Sequence, residues 1–167
     1  MKILHIDPTT KNTKLFNEYV EQGKHIFVIF YLEGCGPCNA TRPEWKKIEN
    51  VLKDKYGKND NLVVADVDQE LLKEIKYLTT QPKGFPTLRY ISDKGKTSED
   101  YEDCPDLLEK DRKVDSFVKW IDSKMTKQKG GKRTKRTKRN IKSGKRNRKS
   151  KKNISSKKRK RTRRNRK

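Results

Sequence analysis

The run His25-Ile26-Phe27-Val28-Ile29-Phe30-Tyr31-Leu32 is almost wholly apolar, β-branched and aromatic, and one residue later it meets Gly34-Cys35-Gly36-Pro37-Cys38. A stretch of this kind, without alternation, fits a strand buried on both faces, as inside a parallel or mixed sheet. Such a sheet needs a covering layer on each side. Past the cysteines a helical spacing runs to about Tyr56, with Trp45, Ile48 and Leu52 three and four apart, and Gly57 stops it.

The surrounding chain supplies the other elements. Ile3 to Ile6 reads as a short strand. Thr9 or Thr10 can cap a helix over 11–22, with Leu15, Phe16, Tyr19 and Val20 on one face and Gly23 ending it. Leu62 to Val67 is a second buried-type strand, and Leu71, Leu72, Ile75 and Leu78 suggest another helix. Gly84-Phe85-Pro86-Thr87 leads into a strand over 87–91. A turn over 93–96 and an edge strand near 98–101 follow, then a helix marked by Val114, Phe117, Val118 and Ile121. The order βαβαβ followed by αββα predicts an α/β fold: a central mixed sheet flanked by helices, with parallel strands in its first half and an antiparallel hairpin in its second.

Charge divides the chain in two. All 22 acidic residues lie in 1–125, which also holds 21 Lys and Arg, whereas 126–167 holds 24 Lys and Arg and no acid. The net charge of +23 therefore describes the tail and not the domain. The reading is a globular domain over 1–125, long enough for one core, and a disordered Lys/Arg-rich tail over 126–167. In that tail only Ile141 and Ile154 are strongly apolar, too little to offset the entropy of ordering it. Gly130-Gly131 reads as the hinge.

A Cys-x-x-Cys at the junction of a buried strand and a helix has a chemical logic. The first sulfur sits at the helix N-terminus, where free N–H groups and the dipole favour a thiolate. The second lies one turn inside, placed to attack a mixed disulfide. Pro37 is tolerated in a first helical turn.

Over about 1–125 the sequence resembles the thioredoxin family. Cys35-Gly36-Pro37-Cys38 matches its CGPC motif, Pro43 the proline of its active-site helix, Gly84-Phe85-Pro86-Thr87-Leu88 its cis-proline loop, and Asp68 the end of a central strand. The resemblance implies a thiol–disulfide oxidoreductase with Cys35 as nucleophile and Cys38 as resolving thiol. Gly36, Pro37, Phe85 and Pro86 would contact substrate, with Pro86 in cis beside the thiols. No cofactor is expected. The partners would be disulfide-containing proteins and an electron donor such as a thioredoxin reductase, and Gly-Pro between the cysteines goes with reducing members. Two positions depart: Ile29 stands where the family usually has a buried carboxylate, and Gly34 where it usually has Trp. A slower or more specialised exchanger is expected.

Zinc wants four ligands, and Cys104, His5 and His25 are scattered, so metal binding is disfavoured. A redox-weak thioredoxin-like binding module targeted by its tail is the alternative function. Cys104 could be a third exchanging thiol, but a small packed residue is preferred. His5 and His25 read as strand-edge residues, Trp45 as core.

The tail is an electrostatic footprint for a polyanion. Lys132 and Arg133, and the run Lys157, Lys158, Arg159, Lys160 and Arg161, are the residues expected to meet nucleic acid, the latter also serving as a nuclear import signal. Neutralising ten phosphates would give a log–log salt slope of about −9. The ending Gly130-Gly131-Lys132-Arg133-Thr134-Lys135-Arg136-Thr137 is similar to basic tails of some large DNA virus proteins, which implies a virion setting. With no apolar leader and no apolar run beyond seven residues, the expected location is intracellular, in cytoplasm or nucleus or within a virion. It is not secreted and has no membrane span.

Overall fold

The computed structural model describes residues 1–129, with side chains through residue 126. The tail residues Lys132, Arg133, Lys157, Lys158, Arg159, Lys160 and Arg161 lie outside the described residues.

Five strands form one sheet in the order β1-β3-β2-β4-β5. They are β1 (Lys2–Ile6), β2 (His25–Tyr31), β3 (Leu62–Asp68), β4 (Thr87–Ser92) and β5 (Thr97–Asp100). β1 and β2 both run parallel to β3, whereas β4 is antiparallel to β2 and to β5. The mixed sheet and the hairpin are as the sequence predicts. α1 (Thr13–Glu21) covers one face, and α2 (Gly36–Tyr56) and α3 (Val114–Lys129) the other. α3 thus runs four residues past the boundary expected at 125.

The central strands earn their place by composition. Every residue of β3 and all but the first of β2 are buried. Between the sheet and α2/α3, Phe27, Trp45, Tyr101, Phe117 and Trp120 meet mostly edge to face, with ring centroids 5.0–5.5 Å apart, a geometry that the ring quadrupole favours. The opposite face is aliphatic, with Leu4, Ile6, Val28, Val63 and Val67 under Phe16 and Val20 of α1.

At the outer edge, β5 reads Thr-Ser-Glu-Asp. Asp100 pairs with the buried guanidinium of Arg89 on β4, and Glu99 with Lys124 of α3.

Three local expectations are corrected. Thr9 and Thr10 do not cap α1: their N–H groups donate to Asp7 Oδ1 in a turn, and Asn12 occupies the cap position without a side-chain bond. The buried face of α1 is Thr13, Phe16, Asn17 and Val20, with Leu15 and Tyr19 only half-buried. Leu71, Leu72 and Ile75 are buried, but on a 3-10 segment, Gln69–Glu74, and not on an α-helix. Asn17 explains this. Its Nδ2 donates to Glu74 O and its Oδ1 accepts from Lys76 N, each at 3.0 Å. These bonds engage backbone groups that a continuing helix would use itself.

Candidate active site

The chain leaves β2 at Tyr31, turns through Gly34 and enters α2 at Gly36. Gly34 has φ +77, where a side chain is strained, and open space lies where a Cβ would stand. Cys35 is the N-cap of α2 in extended conformation, and its sulfur accepts a hydrogen bond from Cys38 N at 3.3 Å. Cys35 is half-buried, Gly36 and Pro37 are exposed, and Cys38 is fully buried one turn inside. Both are free thiols.

The second wall comes from 50 residues away. The Cys35 thiol donates to the carbonyl of Phe85 at 3.7 Å, and the Phe85–Pro86 peptide is cis. Pro86 is buried and Phe85 half-buried. Thr87 Oγ1 donates to Gly84 O at 2.7 Å and closes the loop. The structure therefore gathers Cys35, Cys38, Gly36, Pro37, Phe85 and Pro86 into one place. Beside them a cleft of about 470 Å³ runs between Pro37, Ala40 and Thr41 of α2 and Asp111, Arg112 and Lys113 ahead of α3.

Burial pushes the Cys38 thiol up to about 11, its hydrogen bond with Cys35 adds to this, and the Leu32 backbone and the Arg42 guanidinium pull the other way. Tyr31 is raised to about 12, again by burial first.

Ile29 is fully buried, and its partner in register on β3 is Asp66, hydrogen-bonded to His5. Asp68 stands opposite Tyr31 and accepts from Glu70 N at 2.9 Å. Both carboxylates are buried, so this face of the sheet carries acids on the strand beside the expected one.

Sequence reading also passed over Arg42. It lies four positions after Cys38, one helical turn on, and that spacing was the available signal. His25 hydrogen-bonds Tyr90 Oη at 2.9 Å and Trp45 Nε1 donates to Ala65 O at 3.2 Å, both structural roles. Cys104 is fully buried among Tyr101, Phe117 and Trp120, beyond the reach of a protein disulfide. Among the described residues no group of three or more His, Cys, Asp or Glu is placed to hold a metal ion, and no helix is long and apolar enough to cross a membrane.

The thioredoxin family model matches residues 7–122. The chain belongs to the thioredoxin family. Within this family it is 33% identical over 123 residues to a probable protein disulfide-isomerase A6 from Medicago sativa, covering 72% of this chain and 29% of that protein. It is 30% identical over 119 residues to protein disulfide-isomerase 1 of Dictyostelium discoideum, covering 68% and 29%. The thioredoxin-family chain thus spans under a third of the length of these relatives. In fold it is similar to the Trx4 domain of ERdj5, at TM-score 0.51 and 17% identity, over 76% of this chain and 98% of that one. Human ERp44 form I gives TM-score 0.53 at 21% identity, over 72% and 29%.

Proposed function

We propose that the protein is a thiol–disulfide oxidoreductase that reduces or exchanges protein disulfides through Cys35 and Cys38. The observation that carries this is the half-exposed Cys35 sulfur at the start of α2, held between Cys38 N and Phe85 O. The Cys35 thiolate attacks one sulfur of a substrate disulfide, forming a mixed disulfide and releasing the other substrate sulfur as a thiolate. The Cys38 thiolate then attacks Cys35. The Cys35–substrate bond breaks, the Cys35–Cys38 disulfide forms, and the second substrate thiolate leaves. The substrate gains two electrons and the enzyme loses them, so an external dithiol donor must return them. The backbone around Phe85 and Pro86, and the cleft beside Pro37, would seat an extended substrate segment.

Insulin reduction driven by dithiothreitol tests this. Wild-type protein is expected to precipitate the insulin B chain, and Cys35→Ser to fall to the uncatalysed rate. Equal rates for the two would end the proposal in favour of a redox-weak binding module.

The tail reading stands on charge alone. Its 24 cations and lack of acid support sequence-independent contact with nucleic acid. Truncation after Lys129 keeps all of α3 that the structure describes. The shortened protein should keep its exchange activity and lose retention on DNA at low salt. Equal retention would refute the tail's part.

A further inference from the structure

The resolving step has an unsolved requirement. Cys38 is fully buried and its ionisation is opposed by that burial, and Ile29, at the position where the thioredoxin family usually has a carboxylate, carries no base. Some other group must favour the Cys38 thiolate at neutral pH.

Arg42 is built for this. It lies one turn beyond Cys38 on α2, on the same side of the helix. Its guanidinium carbon sits 3.7 Å from the centroid of the Tyr31 ring at the end of β2. Its NH1 group donates to Glu33 at 3.2 Å, in the loop between β2 and α2. The arginine side chain is 22% exposed and the glutamate 77%, so a solvent-screened carboxylate faces a largely buried cation. Nε of Arg42 is buried and has no hydrogen-bond partner among the described residues. A stacked, half-paired guanidinium one helical turn from a buried thiol is a costly arrangement unless it meets negative charge that forms only during turnover.

We propose that Arg42 is a positioning residue for resolution, held over Tyr31 so that its positive charge stabilises the Cys38 thiolate as that sulfur attacks the Cys35 mixed disulfide. The inference rests on the exchange reading above. The proton of Cys38 leaves to solvent, the Cys35–substrate bond breaks as the Cys35–Cys38 bond forms, and Arg42 takes no proton. Arg42 itself meets Glu33 in the loop and Tyr31 on β2; Asp68 and Asp66 on β3 and Asp7 after β1 act on Tyr31, and Cys35 acts on Cys38 at the head of α2. Asp68, Asp66 and Asp7 oppose ionisation of Tyr31, whereas Arg42 favours ionisation of both Tyr31 and Cys38.

Equimolar dithiobis-nitrobenzoate separates the steps in the full-length protein by stopped-flow absorbance. The first thionitrobenzoate release reports attack by Cys35, and the second reports attack by Cys38 on the adduct. Arg42→Met should leave the first phase within about twofold, slow the second about tenfold at neutral pH, and displace its pH profile upward by about one unit. Arg42→Lys should restore most of the rate, because charge and not packing is at issue. Glu33→Gln should speed the second phase by freeing the guanidinium. A second phase in Arg42→Met with its pH profile unmoved would overturn the inference, as would a slowed second phase that Arg42→Lys fails to rescue. A first phase that persists in Cys35→Ser would instead overturn the exchange reading beneath it. Should Arg42→Met unfold, Arg42→Lys and Glu33→Gln decide alone: no acceleration by Glu33→Gln overturns the inference.

Discussion

The sulfur of Cys35 and the carbonyl oxygen of Phe85 lie 3.7 Å apart although 50 residues separate them. One belongs to the helix that leaves β2, the other to the loop that enters β4. β2 and β4 are hydrogen-bonded neighbours, with Phe30 opposite Thr87. The sheet therefore holds the two walls of the site in register, and the site inherits the rigidity of its most buried strands.

Trapping follows from the order of the two thiols. Cys38→Ser removes the attacking sulfur of the second step and should accumulate Cys35 mixed disulfides, visible as higher bands on non-reducing gels that dithiothreitol collapses. Cys104→Ser should give the wild-type pattern, since Cys104 is fully buried.

Resolution should quicken with alkalinity. Burial pushes Cys38 up to about 11, so near neutrality its thiolate fraction rises about tenfold per pH unit. Release of the second thionitrobenzoate should climb with a log slope of about one between pH 7 and 9. A flat profile there would show that deprotonation of Cys38 does not limit the step.

His25 makes stability acid-sensitive. Burial beside Tyr90 lowers its pKa below the ordinary 6.5, and Asp93 only partly offsets this. The unfolded chain thus takes up the proton first as pH falls. The contribution is whole above 6.5 and is lost as pH drops from there toward the lowered folded value. Urea midpoints should fall between pH 7.5 and 5.5 in wild type, and His25→Gln should show a smaller fall.

Trp120 anchors the helical face of the core. Trp120→Ala should cost about 4 kcal/mol in urea unfolding, through lost transfer and a cavity. Trp120→Phe should cost much less, because Trp120 Nε1 is a buried donor with no hydrogen-bond partner among the described residues. Similar losses for both variants would count against this account.

Asp100→Ala should destabilise by about 3 kcal/mol. It leaves Arg89, 2% exposed, with Thr80 O as its one remaining hydrogen-bond acceptor among the described residues and the Phe30 ring 5.8 Å away. Arg89→Met with Asp100→Asn should recover much of the loss.

How far the sequence spoke for the fold depended on how local each signal was. β2 and β3 are continuous apolar runs, and α2 carries its start signal, its proline and its apolar stripe within one segment, so all three were legible. The cysteines and the Phe85–Pro86 loop were legible through a motif. The segment after Asp68 was not, because its leucines have helical spacing while its backbone bonds go to Asn17, 57 and 59 residues away. The capping of α1 failed for a related reason: Asp7 claimed the N–H groups of Thr9 and Thr10. Arg42 stayed hidden because its meaning lies in Tyr31 and Glu33, which only the folded chain brings under one guanidinium.

The rim formed by β5 bears on how the sheet would meet other polypeptides. An unfolded chain seeking a template would ordinarily add itself to a free sheet border. Here any intruding strand would have to strip water from Glu99 and Asp100 and disturb their pairs with Lys124 and Arg89. Sticky, half-folded polypeptides are thereby discouraged from zipping onto this border of the sheet.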